Sequence, residues 1–357
     1  METLNSLKNL GWNEWFAKRA EILCSENSPV ARVIAVDKDQ YLLLNASGNF
    51  RGKLSGKFRH ESHSSEQLPC VGDWLCVGKS AVDDFGLIHG ILERKTILRR
   101  KAAGQSFDYQ MIAANIDVVF IVQSCHYDFN LKRLERYLVM VAEGGAKSVI
   151  LLTKTDLVAP NVLDDQVNYI RKAGVTDPVQ PLSNVTKEGV EELYNLLTPG
   201  KTYCFIGSSG VGKSTIINGL LGQRRLATKN VSRTGEGTHT TVRRELIVLD
   251  NGAMVIDNPG MREFGVLASD VAVDAGFANI NLLARDCRFR DCTHTNELGC
   301  AVLKALKESQ IYQAHFENFL KLRAESKFNQ MSYVEKRKKD REFGKYIKNA
   351  KKDLYDN

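Results

Sequence analysis

No run of this 357-residue sequence is apolar for long enough to cross a bilayer. Apolar runs such as Val118–Val122 and Val149–Leu152 have only the length of buried strands, which argues against a membrane-spanning helix. The opening METLNSLKNLGWNEWF lacks the basic flank and continuous apolar core of a secretory signal. It reads as one amphipathic helix, and a cytoplasmic location is expected. Internal repeats are missing, and the one biased segment is a basic tail, so repeat arrays and broad disorder are excluded. A hydrophobic content of 43% is that of ordinary packed domains, and the length allows two or three of them.

A disulfide framework is also lacking. Of eight cysteines, Cys24, Cys70, Cys76, Cys125 and Cys204 are scattered, mostly among apolar neighbours, as buried free thiols are. Cys287, Cys292 and Cys300 instead cluster with His294, which suits a reducing compartment and one metal site. Net positive charge is missing from most of the chain, where acids nearly balance the basic residues. The net charge is +7, and Lys321–Asn357 alone holds twelve Lys/Arg against six acids. Such a tail, with KRKKDR at Lys336–Arg341, suits salt-sensitive contact with a phosphate backbone.

What is present falls into three parts. From Val30 to about Arg100, short β-rich segments broken by Gly, Asp and Asn predict a small barrel or sandwich. RRKAAGQ, Arg99 to Gln105, reads as a linker. From Asn115 to Asp257 buried-strand and helix patterns alternate, which predicts a mostly parallel sheet with helices on both faces. After Phe264 the strand patterns stop, and a helical, Cys/His-bearing, basic module follows.

The middle part carries the chemistry. Gly207, Ser208, Ser209, Gly210, Val211, Gly212, Lys213 and Ser214 fit the phosphate-loop pattern, between strand YCFIG and a helix beginning with Thr215 in its first turn. Backbone N–H groups and a helix N-terminus would wrap phosphate oxygens. Lys213 would reach the β- and γ-phosphates, and Ser214 would ligate Mg²⁺. Asp257 closes strand AMVID where a magnesium-organising acid belongs, and Gly260 can offer its N–H to a γ-phosphate. GEGTHTT, Gly235 to Thr241, suits a switch whose hydroxyl joins Mg²⁺; Thr240 and Thr241 are both candidates.

Upstream, Thr153, Lys154, Thr155 and Asp156 close strand SVILLT. Asp156 can accept two hydrogen bonds from guanine, and adenine offers no such donor pair on that edge. The stem of Lys154 can cover the base. Ser183 and Asn184, one strand–helix unit later, open a second base loop running to Val185. The order is base reader, second base loop, phosphate loop, switch one, switch two. A parallel sheet does not record where its chain begins, so this is a circularly permuted GTP-binding domain.

With LGWNEWF, VGDW, RRKAAG, QMIAANIDVVFIV, FNLKRLERYL, LLTKTDL, DNPGMREFG and CRFRDCTHTNELGCAV, the chain resembles the ribosome-biogenesis GTPase family RsgA, also called YjeQ or YloQ, nearly end to end. The resemblance implies an α/β P-loop GTPase domain, circularly permuted, with an N-terminal OB-fold barrel and a C-terminal zinc-binding, mainly helical domain. The expected boundaries are 1–100, 101–268 and 269–357. It implies binding to the small (30S) subunit and its 16S rRNA late in maturation. GTP would be hydrolysed to GDP with ribosome-stimulated turnover, aiding assembly and release of biogenesis factors. A monomer with no membrane partner is expected. Cys287, Cys292, His294 and Cys300 suit one closed, structural Zn²⁺ site.

Two departures stand out. Thr153 replaces the usual Asn, so a loop-bracing hydrogen bond is expected to be shorter or absent, and Asn258 replaces Ser or Thr. Met261 stands where Ras-like enzymes carry their water-orienting Gln. His239 in the switch segment is the substitute, to which the resemblance also points. A GTP-gated rRNA-binding module with negligible hydrolysis is the alternative that Met261 keeps open.

Overall fold

The computed structural model describes residues 2–25, 28–37, 40–79, 85–101, 109–222, 244–257, 269–331 and 335. The N-terminal segment forms two helices, α1 (Glu2–Asn9) and α2 (Glu14–Leu23), rather than the single one expected. The break falls at Gly11, whose φ of 87° no helix accommodates. Asn13 then restarts the chain by accepting the Trp15 N–H at 3.0 Å, as an N-cap does.

Five strands follow: β1 (Val30–Asp37), β2 (Gln40–Asn45), β3 (Gly48–Leu54), β4 (Trp74–Lys79) and β5 (Gly86–Ile91), with a short α3 (Gly56–Glu61) after β3. They pair in the order β1-β2-β3-β5-β4 and close through β1–β4, with β3 and β5 parallel. This is an OB-type barrel. Val33, Leu43, Leu75, Val77 and Ile88 fill it. On the outer side of β4, Trp74 and Cys76 pack instead against Trp12 and Phe16 of the N-terminal segment.

The segment expected to be a linker is partly sheet. Arg99 and Arg100 lie in β6 (Ile97–Lys101), which pairs antiparallel with β7 (Tyr109–Ala114). A basic, polar run masked the strand; the arginines are held at the edge, Arg99 by Glu66 at 2.5 Å and by the Tyr109 ring 3.8 Å away.

The α/β unit runs β8 (Val118–Ser124), α4 (Leu131–Glu143), β9 (Lys147–Thr153), α5 (Pro160–Lys172), β10 (Val179–Leu182), α6 (Val190–Asn195), β11 (Thr202–Gly207), α7 (Lys213–Leu220), β12 (Glu245–Val248) and β13 (Met254–Asp257). The sheet order is β10-β9-β8-β11-β13-β12, parallel apart from β12. Alternation sends Val119, Ile121, Ile150 and Leu152 toward α4 and α5. Phe120, Val122, Leu151 and Phe205 face α6 and α7, so both faces are covered. One ladder contact, Ala35 with Glu245, joins β12 to β1 and makes barrel and α/β sheet continuous.

The last part contains α8 (Asp270–Gly276), α9 (Ala278–Ala284), α10 (Ala301–Lys307) and α11 (Gln313–Gln330), with no strand among the described residues. It docks on α4. Glu135, fully buried on α4, meets His315 Nδ1 at 2.6 Å and accepts from Asn318 Nδ2 at 2.5 Å. Arg136 donates to both Glu325 oxygens at 2.8 and 2.9 Å.

Arg32 of β1 ties the parts together. It is 1% exposed, and its guanidinium reaches Leu10 O at 2.5 Å, Gly72 O at 3.3 Å, Asn115 O at 3.2 Å and Thr202 Oγ1 at 2.8 Å. These acceptors belong to the N-terminal helices, the barrel, the β7–β8 junction and the α/β sheet. Burial lowers its pKa to about 10, opposed by Asp117 and Asp73, so it stays charged at neutral pH. Arg32→Met should leave these acceptors buried and unpaired. A loss of about 3 kcal/mol in urea unfolding is expected; a loss below about 1 kcal/mol, that of an ordinary hydrogen bond, would show that Arg32 is no keystone.

Candidate functional site

Strand β11 is buried along its whole length and ends at Gly207, where φ is 146°. A Cβ there would stand 2.2 Å from the Val122 carbonyl, so only glycine lets the loop leave the sheet. Gly210 and Gly212 take positive φ of 79° and 102°, and Lys213 opens α7. Ser209, Gly210 and Thr215 are exposed, Ser208 and Ser214 half-buried, and Val211 buried. Lys213, 7% exposed, folds back to donate to Gly207 O at 2.7 Å and Ser208 O at 2.5 Å. Burial pulls its pKa down to about 8, against the opposing pull of Asp257 and then Asp128.

Asp257, 3% exposed, ends β13 beside β11. Thr153 ends β9, two strands away on the other side, and is fully buried. Its hydroxyl lies 2.6 Å from the Val211 carbonyl and 3.2 Å from that of Gln123. A hydroxyl has one proton, and the shorter contact takes it. Of the two outcomes expected for the bracing bond, shorter or absent, it is not absent: it runs straight from the base-reader motif to the phosphate loop. After Thr153 the chain turns through Lys154 at φ 60° into a short helical turn, Thr155–Leu157.

Asp156 is exposed and accepts the Ser183 hydroxyl at 2.5 Å. The same Ser183 oxygen accepts the N–H groups of Val185 and Thr186 at 3.1 Å, fixing the second base loop. Asn184 reaches the phosphate loop from there: its Nδ2 would sit 3.1 Å from a Cβ on Gly212. The loops after β9, β10 and β11, and Asp257 at the end of β13, thus lie at the carboxyl end of one sheet, where open α/β folds bind ligands. His239, Thr240, Thr241 and Gly260, with Asn258 and Met261, lie outside the described residues.

Asp128, in the loop after β8, was not singled out from the sequence. It bonds Arg133 at 2.8 Å and acts electrostatically on Lys213. Its position just past a buried strand adjoining β11 was the available signal.

The four Cys/His residues converge in the C-terminal part. The donor atoms of Cys287, Cys292, His294 and Cys300 all lie within 4.8 Å of one another. The separations are 3.7 Å from Cys287 Sγ to His294 Nδ1, 3.8 Å from Cys287 Sγ to Cys300 Sγ, and 3.4 Å from His294 Nδ1 to Cys300 Sγ. A tetrahedral ion with metal–sulfur bonds of about 2.3 Å requires edges of about 3.8 Å, so the residues fit a metal. His294 sits at φ 61° in a tight loop. That loop is held by the exposed Glu297, which accepts from Thr293 N at 2.7 Å and Thr295 N at 2.9 Å. The Thr293 hydroxyl leads these bonds in drawing the Glu297 pKa down to about 2.

A family model described as RsgA GTPase matches residues 91–267. A relative from Lactiplantibacillus plantarum, named Small ribosomal subunit biogenesis GTPase RsgA 2, is 39% identical over 331 residues, 92% of each chain. The chain belongs to the RsgA family. A Vibrio parahaemolyticus protein of the same name is 36% identical over 99% of this chain and 95% of its own. Solved structures of Thermotoga maritima YjeQ and of YloQ, a circularly permuted GTPase, share the fold. Their TM-scores are 0.61 and 0.60 at 24% and 21% identity; they cover 83% and 86% of this chain and are themselves covered to 98%. As an RsgA-family member the chain is a GTPase, and its fold is that of a circularly permuted GTPase.

Because Val139 of α4 packs into the same apolar cluster as Cys292 and Cys300, metal removal should be felt beyond the cluster. A strong chelator should release one metal per chain, reduce helicity and lower the melting temperature of the whole protein. Helicity and melting unchanged after full metal loss would show that the cluster is not structural.

Proposed function

We propose that this GTPase binds the small ribosomal subunit during its late maturation, turns over GTP slowly alone and rapidly on the subunit, and leaves after hydrolysis. The hydrogen bond between Thr153 and Val211 carries the nucleotide part of the reading, because it pins the base-reading loop to the phosphate loop. One nucleotide then spans both. Asp156 takes the guanine edge, flanked by Lys154, Thr155, Ser183 and Asn184, while Thr153 braces from behind. Gly207 through Thr215 wrap the phosphates. Lys213 turns from its own loop carbonyls to the β- and γ-phosphates.

Ser214 and Asp257, with Thr240 or Thr241, are the residues that would hold Mg²⁺, which neutralises charge developing on the phosphates. Gly260 senses the γ-phosphate, and His239 orients the attacking water in place of a Gln. Cys287, Cys292, His294 and Cys300 hold one structural Zn²⁺.

The subunit part rests on the relatives' names and on charge. Arg51, Lys53, Lys57 and Arg59 are exposed along β3 and α3 of the barrel. They offer one face for 16S rRNA phosphates, and the basic tail, which lies outside the described residues beyond 331 except for 335, adds further positive charge for them. Among the described residues no helix is long and apolar enough to cross a membrane. The protein works in the cytoplasm, where the subunit named for its relatives matures. The protein acts as a monomer, with domain limits near residues 100 and 268.

Phosphate release with and without purified small subunits tests the whole reading. Stimulation of about 10³-fold or more is expected, and His239→Ala should retain GTP binding while losing most of it. Equal rates with and without subunits would refute the reading. A pH series tests Lys213. The phosphates need its charged form, so GTP affinity should be flat below about pH 8 and fall up to tenfold per unit above it. Affinity that stays level to pH 9.5, well past the lysine's lowered value, would remove Lys213 from the phosphate contact.

A further inference from the structure

Cys24 and Cys76 are joined in a disulfide across 52 residues of sequence, with Cα atoms 5.5 Å apart. The expectation of five thiols outside the metal cluster fails for this pair; Cys70, Cys125 and Cys204 are buried and outside any disulfide. The bond links the C-terminal end of α2 to the outer side of β4. The two sulfurs differ in access. Cys76 is 3% exposed, whereas Cys24 is half-buried and caps α2 in extended backbone.

The other fastenings of this end of α2 lie at the surface. Arg19 meets Glu93 at 2.8 Å, and the Glu93 side chain is 63% exposed. Trp15 Nε1 donates to Glu93 O at 3.3 Å, and Ile22 and Leu23 beside the bond are exposed. Under the helices lie Trp12, Phe16 and Trp74, with Trp12 edge-on to Trp74 at 4.8 Å. Trp74 is also the ladder partner of Arg32, and Cys76 that of Val30. The disulfide therefore closes over the joint where Arg32 fastens the barrel to the α/β sheet. The barrel interior lies on the opposite side of β4 and does not need it.

We propose that Cys24 and Cys76 form a redox latch that clamps the N-terminal helices over the Arg32 joint, worked by exchange with a low-molecular-weight thiol and its disulfide. In closing, the accessible Cys24 thiolate attacks one sulfur of the external disulfide, and the other sulfur leaves as a thiolate. The Cys76 thiolate then attacks the Cys24 sulfur, forming the protein disulfide and expelling the second external thiolate. The protein pair gives up two electrons to the external disulfide, and its two protons pass to the leaving thiolates. Opening is the reverse. In a reducing compartment a bond of this kind is a sensor more often than a permanent staple. The latch stands independently of the nucleotide and ribosome assignments.

The test uses the full, metal-loaded chain equilibrated in mixtures of reduced and oxidised glutathione, quenched in acid, denatured with chelator and examined by thiol count and intact mass. The wild type should pass reversibly from eight thiols to six, with a loss of two hydrogens and no glutathione adduct. Cys24→Ser and Cys76→Ser should form no internal bond under either condition. Trypsin should cleave after Lys18 and Arg19 at least about fivefold faster in the reduced wild type and in Cys24→Ser than in the oxidised wild type. Eight thiols at both ends of the series, or cleavage rates indifferent to oxidation, would overturn the latch.

Discussion

One hydrogen bond, given by the Thr153 hydroxyl to the carbonyl of Val211, ties the base-reader motif to the phosphate loop. Its two ends are 58 residues apart, in an order opposite to that of common GTP-binding chains. Spatially the reversal is immaterial, since β9 and β11 run parallel on either side of β8 and both release their loops at the same end. With that bond made, the rest follows by short steps. Asp156 is oriented by Ser183, Ser183 is fixed by two backbone N–H groups, and Asn184 closes on Gly212. Each contact is modest in free energy, but burial makes the Thr153 hydroxyl costly to leave unpaired.

A second constraint works at larger scale. Arg32 gathers carbonyls and a hydroxyl from elements far apart in sequence, and β1 meets β12 in the same region. A buried charge with many fixed acceptors has one good position and no near-equivalent. The barrel is thereby held in a defined orientation to the GTPase sheet. The exposed basic side chains of β3 and α3 are thereby carried in a fixed relation to the loops at the carboxyl end of that sheet.

Much of this was legible from residues alone. IDVVFIVQ, SVILLT and YCFIG are too apolar for anything but buried strands, and the glycines of the phosphate loop mark its turn. The barrel was legible from short strands at close spacing. What escaped shares one physical character: it depends on pairs brought together from a distance. Arg32 sits inside ARVIAVD with nothing nearby to announce its acceptors. Glu135 and His315 are 180 residues apart, and each alone reads as a surface residue. Cys24 and Cys76 read as unrelated thiols for the same reason. RRKAAGQ misled in the opposite way, since its arginines are paired at a sheet edge that composition does not reveal.

Helix α4 has no broad face turned to water. Leu134 and Leu138 settle into the sheet, while Val139 and Glu135 are covered by the Cys/His-bearing part. Just before it, Asp128 stands in the field of Lys213, with Arg133 of its first turn holding that acid. One helix thus lies between the acid that acts on Lys213 and the C-terminal part. The cylinder whose leading loop carries that acid is also the floor on which that part rests. A rearrangement of the loop preceding α4 would tilt the floor, because α4 packs on both sides.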